Sequence, residues 1–459
     1  MTLLAINWPQ VGLQAGYLIF SLSILVILHE FGHYITAKWF KCRVEKFYLF
    51  FDPWFSLVKK KIGDTVYGIG WLPLGGYVKI SGMVDESMDK EQMKLPPQPW
   101  EFRSKPAWQR LIIMLGGVTM NVLFAFFLYA MILYKWGDTK LPNANVKDGI
   151  WITDSLMYDI GLKNGDKIVA VNGEKIDYFN DIPAKIILGK QISLSRNGVE
   201  QTITLPPNMI ERLVEKKGKR TMLLMPRTPL LIGPYDPKDK GNAKTAGLKG
   251  YDKIVEVDST TVAFFDELAG YLQHKKGDTV LLSVVRDQAP LQVKVLVDKD
   301  GKIGLNGFSE DQYDSLGIFK QEIRSYGFLA SFPAGVKQTG KQLDFYIQQF
   351  KMLLNPKTGA YKGLTGFKGM ASIFPNSGWN WEAFWKITAF FSIILAFMNL
   401  LPIPALDGGH VLFTLIEMIS GRKPSDKFLE YAQIAGMVVL FALMLFANGN
   451  DWFGWGKGH

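Results

Sequence analysis

The chain has 459 residues, of which 48% are hydrophobic and only 20% are charged, and its formal net charge is +10. This composition fits a membrane protein that carries a large water-soluble insert. The positive charge is consistent with contact to an anionic lipid bilayer. Because the sequence has no stacking-aromatic or helix-turn-helix pattern, we expect no nucleic-acid partner. The single cysteine, Cys42, excludes an internal disulfide.

The first apolar segment runs from Val11 to Leu28 and leads directly into the pentad His29-Glu30-Phe31-Gly32-His33. On a helix the two histidines project from one face, so both imidazoles can bind one zinc ion, and Glu30 lies beside the open position of the metal. Such a carboxylate can take a proton from a water molecule at the metal. A structural histidine pair is the ordinary alternative, but ionisable residues at membrane depth are costly and are usually kept for function.

Four segments without Lys, Arg, Asp or Glu predict four membrane spans, because each can cross about 30 Å of hydrocarbon at about 1.5 Å per residue. A buried core helix is the alternative for any one of them, but four in one chain make that reading weak. We expect residues 1–37 to form a retained first helix with its N-terminus outside, since they contain no Lys or Arg. The uncharged runs are Val11 to Leu28, Leu111 to Tyr134, Ile387 to Leu406, and Tyr431 to Asn450.

The charge distribution predicts the orientation of the spans. The loop of residues 38–107 is basic and is expected to face the cytoplasm, so the second helix, 108–136, returns outward. The third segment, 386–412, and the fourth helix, 428–450, are joined by a short loop that is also basic and therefore inside. The region between the second and third spans then lies outside, and both halves of the proposed metal site fall on the cytoplasmic side.

The outer region contains an internal repeat. The segment Gly161–Gly173 aligns with Gly247–Ser259, 86 residues further on, and each copy has a turn, an alternating strand and a second turn. Both copies resemble the signature of PDZ domains, so we expect α+β PDZ domains at 137–228 and 229–308. They either bind peptide tails by strand addition or act as size filters or spacers that bind none.

Residues 309–385 are expected to contain a periplasmic amphipathic helix and a linker. Apolar residues recur at helical spacing between Ser331 and Leu354, with lysines among them. Two readings remain open: the helix lies on the outer membrane face, or it packs on the second repeat. Trp379, Trp381 and Trp385 suggest an interfacial aromatic belt.

A catalytic zinc normally has three protein ligands, and the best candidate for the third is Asp407. It follows a break made by Pro402 and Pro404 at the end of the third apolar segment, and two glycines follow it. The alternative is that Asp407 only caps the next helix. His410 is a competing ligand that we rank lower.

The motif around His29 together with Asn399-Leu-Leu-Pro-Ile-Pro-Ala-Leu-Asp407-Gly-Gly resembles the site-2 protease family of M50-type intramembrane zinc metalloproteases, and most closely its bacterial RseP-like branch. The resemblance implies that His29, His33 and Asp407 bind Zn²⁺ and that Glu30 is the general base. It also implies a substrate-binding role for residues near the metal and for a membrane-associated β-loop that offers an edge strand to the substrate. These residues are Asn399, Pro402 and Pro404, and, in the β-loop Leu74–Ile80, Gly75, Gly76, Tyr77 and Val78.

The chain departs from the family pattern at two places. Where the family has Gly-Pro-x-x-Asn in the second helix, this chain reads Gly116-Gly117-Val118-Thr119-Met120-Asn121, which keeps the asparagine and lacks the proline. Asn121 is either a polar contact near the metal or an ordinary interhelical hydrogen-bonding residue. The second departure is Lys368-Gly369-Met370, where Gly-Pro-Ile would be more typical.

The sequence therefore predicts a polytopic α-helical membrane protein with about four transmembrane helices and two PDZ domains in a periplasmic insert, expected to be a monomer in the bacterial inner membrane. The resemblance implies an intramembrane endopeptidase. Its substrates would be single-pass membrane proteins, such as anti-sigma factors or remnant signal peptides, cut after a first protease has trimmed their outer part. The alternative is a catalytically silent membrane scaffold, but an intact Glu30 counts against it because a structural zinc needs no base.

Overall fold

The computed structural model describes residues 7–83, 96–215, 222–236, 239–308 and 310–456. The chain forms two compact units. The first comprises Met1–Gly137, Ser325–Pro356 and Ala360–His459, and the second comprises Asp138–Arg324 with Lys357–Gly359. The first unit contains the long apolar helices and one folded sheet, and the second contains the sequence repeat.

The first unit begins with helix α1 (Trp8–Trp39), strands β1 (Val44–Ile62) and β2 (Thr65–Ile80), and helix α2 (Ala107–Lys135). The Asn7 side chain caps α1 by accepting a hydrogen bond from the Gln10 backbone N–H. A chain reversal at Gly63, which has φ +60°, joins the two strands.

Both strands bend in the middle, so β1 and β2 form four rows, of which 44–51 and 65–72 run parallel and the two outer pairings are antiparallel. In the order of their pairing the rows are 76–80, 44–51, 65–72 and 56–62. Lys46, for example, pairs with Lys79 on one side and with Val66 on the other. Residues 76–80 are therefore an edge row: within the described part of the chain, no strand pairs with their second side.

The second unit contains twelve strands and six α-helices among its described residues, all of them short. Its strands are β3 (Asp138–Lys140), β4 (Ile150–Ile152), β5 (Lys167–Val171), β6 (Glu174–Lys175), β7 (Gln191–Arg196), β8 (Val199–Thr204), β9 (Leu224–Pro226), β10 (Lys253–Val257), β11 (Thr260–Thr261), β12 (Thr279–Arg286), β13 (Ala289–Leu296) and β14 (Glu322–Arg324). Its described helices of the α type are α3 (Ser155–Asp159), α4 (Ile182–Leu188), α5 (Met209–Glu215), α6 (Asn242–Thr245), α7 (Phe265–Gln273) and α8 (Glu310–Ser315).

The two sequence repeats fold alike. One four-stranded sheet has the order β6-β5-β7-β8 and the other has the order β11-β10-β12-β13. Each repeat also has the same ion pair: Arg196 binds Asp166 in the first, and Arg286 binds Asp252 in the second. Each arginine donates a further hydrogen bond of 2.8 Å to the carbonyl oxygen of the glycine that opens its repeat. The ion pair therefore connects the first turn of each repeat to β7 in the first repeat and to β12 in the second.

The chain returns to the first unit with α9 (Phe328–Leu353), α10 (Phe367–Ala371), α11 (Trp381–Leu400), α12 (Asp407–Ser420) and α13 (Asp426–Phe453). Among the described residues, four helices are long and apolar enough to cross a membrane: α1, α2, α11 and residues Lys427–Phe453 of α13. This agrees with the four predicted spans. The predicted third segment, 386–412, contains most of α11, the break at the prolines and the start of α12. Short 3₁₀ helices occupy Phe102–Ser104, Asn143–Asn145, Phe179–Asp181, Pro356–Thr358 and Ala360–Gly363.

Helix α9 packs against helices that neither sequence reading named. It packs along α2 and also contacts α11. Its buried residues are Ser331, Gly335 and Thr339, spaced four apart, and a Cβ on Gly335 would lie 2.6 Å from the Ala130 backbone nitrogen. Small residues at this spacing let two helix backbones approach closely. Neither of these helices was predicted from the sequence as its partner, and the placement of α9 on the outer membrane face stays a prediction.

Candidate metal centre

Three predicted ligand atoms converge in the first unit. The Nε2 atoms of His29 and His33 lie 3.2 Å apart, and Oδ2 of Asp407 lies 3.1 Å from the first and 3.3 Å from the second. Both histidines are buried. Among the described residues, these three form the one group of His, Cys, Asp or Glu side chains whose ligand atoms lie close enough together to hold a metal ion.

These distances fit a tetrahedral metal ion. Two ligands that each lie about 2.0–2.1 Å from a tetrahedral zinc are about 3.3 Å apart, which is the spacing seen on all three sides here. Oδ2 of Asp407 is buried and has no partner with hydrogen-bond geometry in the described structure, despite its proximity to the imidazoles. A cation bound between this buried carboxylate oxygen and the two ring nitrogens would therefore compensate the unpaired oxygen.

Helix α2 orients both imidazoles. Nδ1 of His33 lies 2.9 Å from the Ile113 carbonyl oxygen, which can only accept, so Nδ1 carries the proton and Nε2 presents a lone pair to the site. The side-chain amide of Asn121 lies 3.2 Å from Nδ1 of His29. With the amide turned so that Oδ1 faces the ring, Oδ1 accepts from Nδ1–H and leaves Nε2 of His29 free for the metal.

Close approach of α1 and α2 depends on glycines. A Cβ on Gly32 would overlap the Gly116 backbone, and a Cβ on Gly117 would overlap Nε2 of His33 and lie 2.6 Å from Cε1 of His29. The pair Gly116-Gly117 thus makes the space in which the imidazoles meet. This gives a physical reason for a glycine at position 117, inside the segment that departs from the family pattern.

Asp407 reaches the histidines because α11 ends at Leu400 and the chain turns before α12 begins at Asp407. No side chain caps α12, so the capping role considered for Asp407 is not what the structure shows. Cβ atoms on Gly408 and Gly409 would collide with the backbone of the turn. At the far end of α12, Glu417 forms an ion pair with Arg110 of α2, which fixes the helix against the bundle.

Glu30 lies between the ligand cluster and the edge row of the sheet. Its carboxylate interacts with the backbone N–H of Val78, and its Cγ would lie 3.7 Å from a Cβ on Gly76. The ligands, Glu30 and the edge row border one cavity of about 620 Å³. The cavity also brings together the predicted residues Gly75, Gly76, Tyr77, Val78 and Asn399.

The remaining predicted residues have different positions. The Asn399 amide nitrogen lies 3.3 Å from Nε2 of His29, beside the ligand cluster. Pro402 and Pro404 lie in the turn and are not among the residues that line the cavity. His410 lines the cavity but does not belong to the three-ligand group.

Sequence reasoning missed Gln433, which lies in α13, lines the same cavity and is only 5% exposed. A signal was present: Gln433 is a polar residue within a predicted apolar span, and such residues usually face the interior of a helix bundle.

Comparison with known proteins agrees with this architecture. Residues 17–443 match the family model described as Peptidase family M50. Curated relatives cover nearly the whole chain. One from Vibrio cholerae, named "Putative zinc metalloprotease", is 26% identical over 94% of this chain and 97% of its own length. The Protease RseP of Yersinia pestis is 28% identical over 94% of this chain and 97% of its own.

Proposed function

Because the chain belongs to peptidase family M50 and is a zinc metalloprotease, we propose that it cleaves single-pass membrane proteins within their transmembrane segments. The observation that carries this proposal is the convergence of His29, His33 and Asp407 beside Glu30, because the two histidines and Glu30 lie on α1, a helix apolar enough to span a membrane. A hydrolytic site on such a helix is accessible to a peptide bond that starts inside a bilayer.

His29, His33 and Asp407 hold the zinc ion, which when bound supplies Lewis-acid polarisation of the substrate carbonyl and lowers the pKa of a water molecule. Glu30 is the general base: it accepts the proton of the attacking water and returns it to the leaving amine. The interaction of its carboxylate with the Val78 N–H fixes it next to the ligand cluster. These two histidines and one aspartate would give the ion three protein ligands, the number that catalytic zinc sites normally have.

The edge row 76–80 binds the substrate as an added strand. A transmembrane helix shields its own peptide bonds with internal hydrogen bonds, so the helix must unwind before hydrolysis, and strand addition satisfies the backbone groups that unwinding frees. The row borders the cavity that contains Glu30 and Asp407, which supports this role. Asn399, whose amide lies beside His29, holds the unwound backbone near the metal. Pro402 and Pro404 shape the turn that carries Asp407.

We further propose a membrane orientation and a substrate class for the enzyme. The active site faces the cytoplasmic side of the bacterial inner membrane, and the second unit, with two PDZ domains, lies in the periplasm. The shared strand order and ion pair of the two repeats support a duplicated domain of one kind. The substrates are of the anti-sigma factor or remnant signal-peptide type, cut after a first protease, and the enzyme acts as a monomer.

The decisive test compares the wild type with Glu30→Gln on a trimmed single-pass substrate in liposomes, with zinc content measured on both proteins. Loss of cleavage with zinc retained is the expected result. Glu200→Gln, the same chemical change at an exposed position of β8, is the matched control and should cleave normally. Bound zinc without cleavage of any trimmed substrate by the wild type would instead support the silent scaffold.

A further inference from the structure

Among the described residues of helix α13, only two pairs are buried: Gln433 with Gly436, and Gly449 with Asn450. The first pair lies one helical turn apart and faces the turn between α11 and α12. Gln433, which is 5% exposed and lies in a helix apolar enough to span a membrane, contacts the segment that carries Asp407. A polar side chain in this environment is retained at a cost, which indicates a specific task.

Gln433 holds a backbone position of unusual conformation. Its Oε1 accepts a hydrogen bond of 3.1 Å from the Ala405 N–H. Ala405 has φ +84°, in the left-handed region that non-glycine residues rarely adopt, at a cost of roughly 1–3 kcal/mol. Such a conformation persists only where surrounding contacts impose it. Asp407 lies two residues after Ala405, so the position of its carboxylate depends on this part of the turn.

Gly436 supplies the second contact on the same face of α13. A Cβ at this position would overlap the Pro404 carbonyl oxygen, so only glycine lets the helix backbone approach the turn this closely. Gln433 and Gly436 together hold two consecutive residues of the turn, Pro404 and Ala405. The histidine ligands, by contrast, are oriented by α2, so Asp407 is the ligand whose position depends on α13.

We propose that Gln433 is a positioning residue for the zinc site, which fixes the turn that presents Asp407 to the two histidines. This rests on the proposed ligand role of Asp407. Outer contacts of this kind typically change metal affinity 10- to 100-fold, so the effect is measurable without any substrate.

The test measures zinc affinity of the full-length protein by competition with a chelator, and the visible spectrum after Co²⁺ replacement. Gln433→Leu should weaken zinc binding about tenfold and change the Co²⁺ spectrum. Gln433→Glu keeps an oxygen that accepts from the Ala405 N–H, so it should stay within about threefold of the wild type. Gly436→Ala should reproduce the effect of Gln433→Leu by displacing Pro404. Gln349→Leu, on an exposed face of α9, is the matched control and should change neither readout.

Wild-type affinity and spectrum in Gln433→Leu would overturn the inference, as would a Gln433→Glu variant as weak as the leucine variant. Asp407→Asn separates this failure from failure of the proposed function. If Asp407→Asn weakens zinc binding while Gln433→Leu does not, only the role of Gln433 is wrong. If neither variant weakens it, the proposed ligand set itself is wrong.

Discussion

Nδ1 of His33 lies 2.9 Å from the carbonyl oxygen of Ile113, so a proposed ligand on α1 is oriented by the backbone of α2. The second proposed ligand on α1, His29, contacts α2 through the side chain of Asn121. Asp407 comes from a third element, α12. The candidate metal centre is therefore assembled between helices, and a change in how α1 and α2 approach each other should alter zinc binding.

Gly117→Ala tests this relationship directly. The added methyl group would overlap Nε2 of His33 and crowd His29, and neither ring can move without losing its contact to α2. We expect a loss of zinc affinity of at least about 100-fold and a corresponding loss of cleavage. Zinc content after dialysis is the measurement. Gly16→Ala is the control, because a Cβ there meets no atom within 4 Å. Normal zinc binding by Gly117→Ala would show that the histidines are not the ligands.

Asn121→Leu removes the hydrogen-bond partner of His29 while keeping a side chain of similar size. Asn121 is fully buried, so the exposed-surface properties of the protein should not change. We expect zinc affinity to fall about 10- to 100-fold, with the helical content unchanged by circular dichroism. Asn121→Asp keeps an acceptor for Nδ1–H and should retain most of the affinity. Equal zinc affinities of Asn121→Leu and Asn121→Asp would contradict an orienting role for the amide oxygen.

Gly76→Ala should separate substrate binding from metal binding. A Cβ at this position would lie 2.7 Å from the Tyr48 carbonyl oxygen and 2.8 Å from Cγ1 of Val26, so the edge row would move away from α1 and Glu30. Because misplacement by about 1 Å can cost roughly 100-fold in rate, we expect cleavage of a transmembrane substrate to fall 10- to 100-fold. Zinc content should stay normal, in contrast to Gly117→Ala. Unimpaired cleavage would argue against strand addition at residues 76–80.

The local chemistry of the site was predictable from sequence because it follows from helical spacing and chain breaks. His29 and His33 share a helix face, and Pro402 and Pro404 end the helix before Asp407, so each half of the site has a local signal. Four apolar runs similarly predicted the four long helices. That the two halves meet in space was inferred from the topology and the family resemblance, not from any one segment.

What sequence could not provide depends on contacts between distant segments. Nothing local to α9 shows that Gly335 packs on Ala130, because the spacing of small residues is meaningful only once a partner helix is known. The role of Gln433 likewise depends on the conformation of Ala405, 28 residues earlier in the chain. The sheet is a third case: β1 pairs with β2 on both of its sides, and this folding makes 76–80 an edge row.

The second unit offers a prediction that involves pH. Asp252 is 1% exposed and is bound by Arg286. Burial raises the pKa of Asp252, but the hydrogen bonds from Arg286 and from the Lys249 N–H, together with the two positive charges, outweigh burial and lower the pKa below its ordinary value of 3.8. The carboxylate therefore binds its proton more weakly in the folded state than in the unfolded state.

A lowered folded-state pKa means that the ion pair stabilises the fold fully above about pH 4 and loses this contribution as the pH falls through the folded-state value. Arg286→Gln should therefore destabilise the second repeat by about 2 kcal/mol at pH 7, discounted from the usual cost of breaking a buried pair because Arg286 is partly exposed. The difference between variant and wild type should shrink on acidification below about pH 4.

Hydrogen exchange of the β10 and β12 amides in the full-length protein, corrected for the intrinsic rate at each pH, measures this difference. Arg324→Gln is the control: Arg324 pairs with Glu322 at the surface, where both side chains are more than two-fifths exposed, so its loss should leave the exchange of the β10 and β12 amides unchanged. The linkage to Asp252 would be contradicted if the stability difference between Arg286→Gln and the wild type stayed constant from pH 7 to pH 3. A loss of side-chain packing alone has no reason to vary with the protonation of a carboxylate.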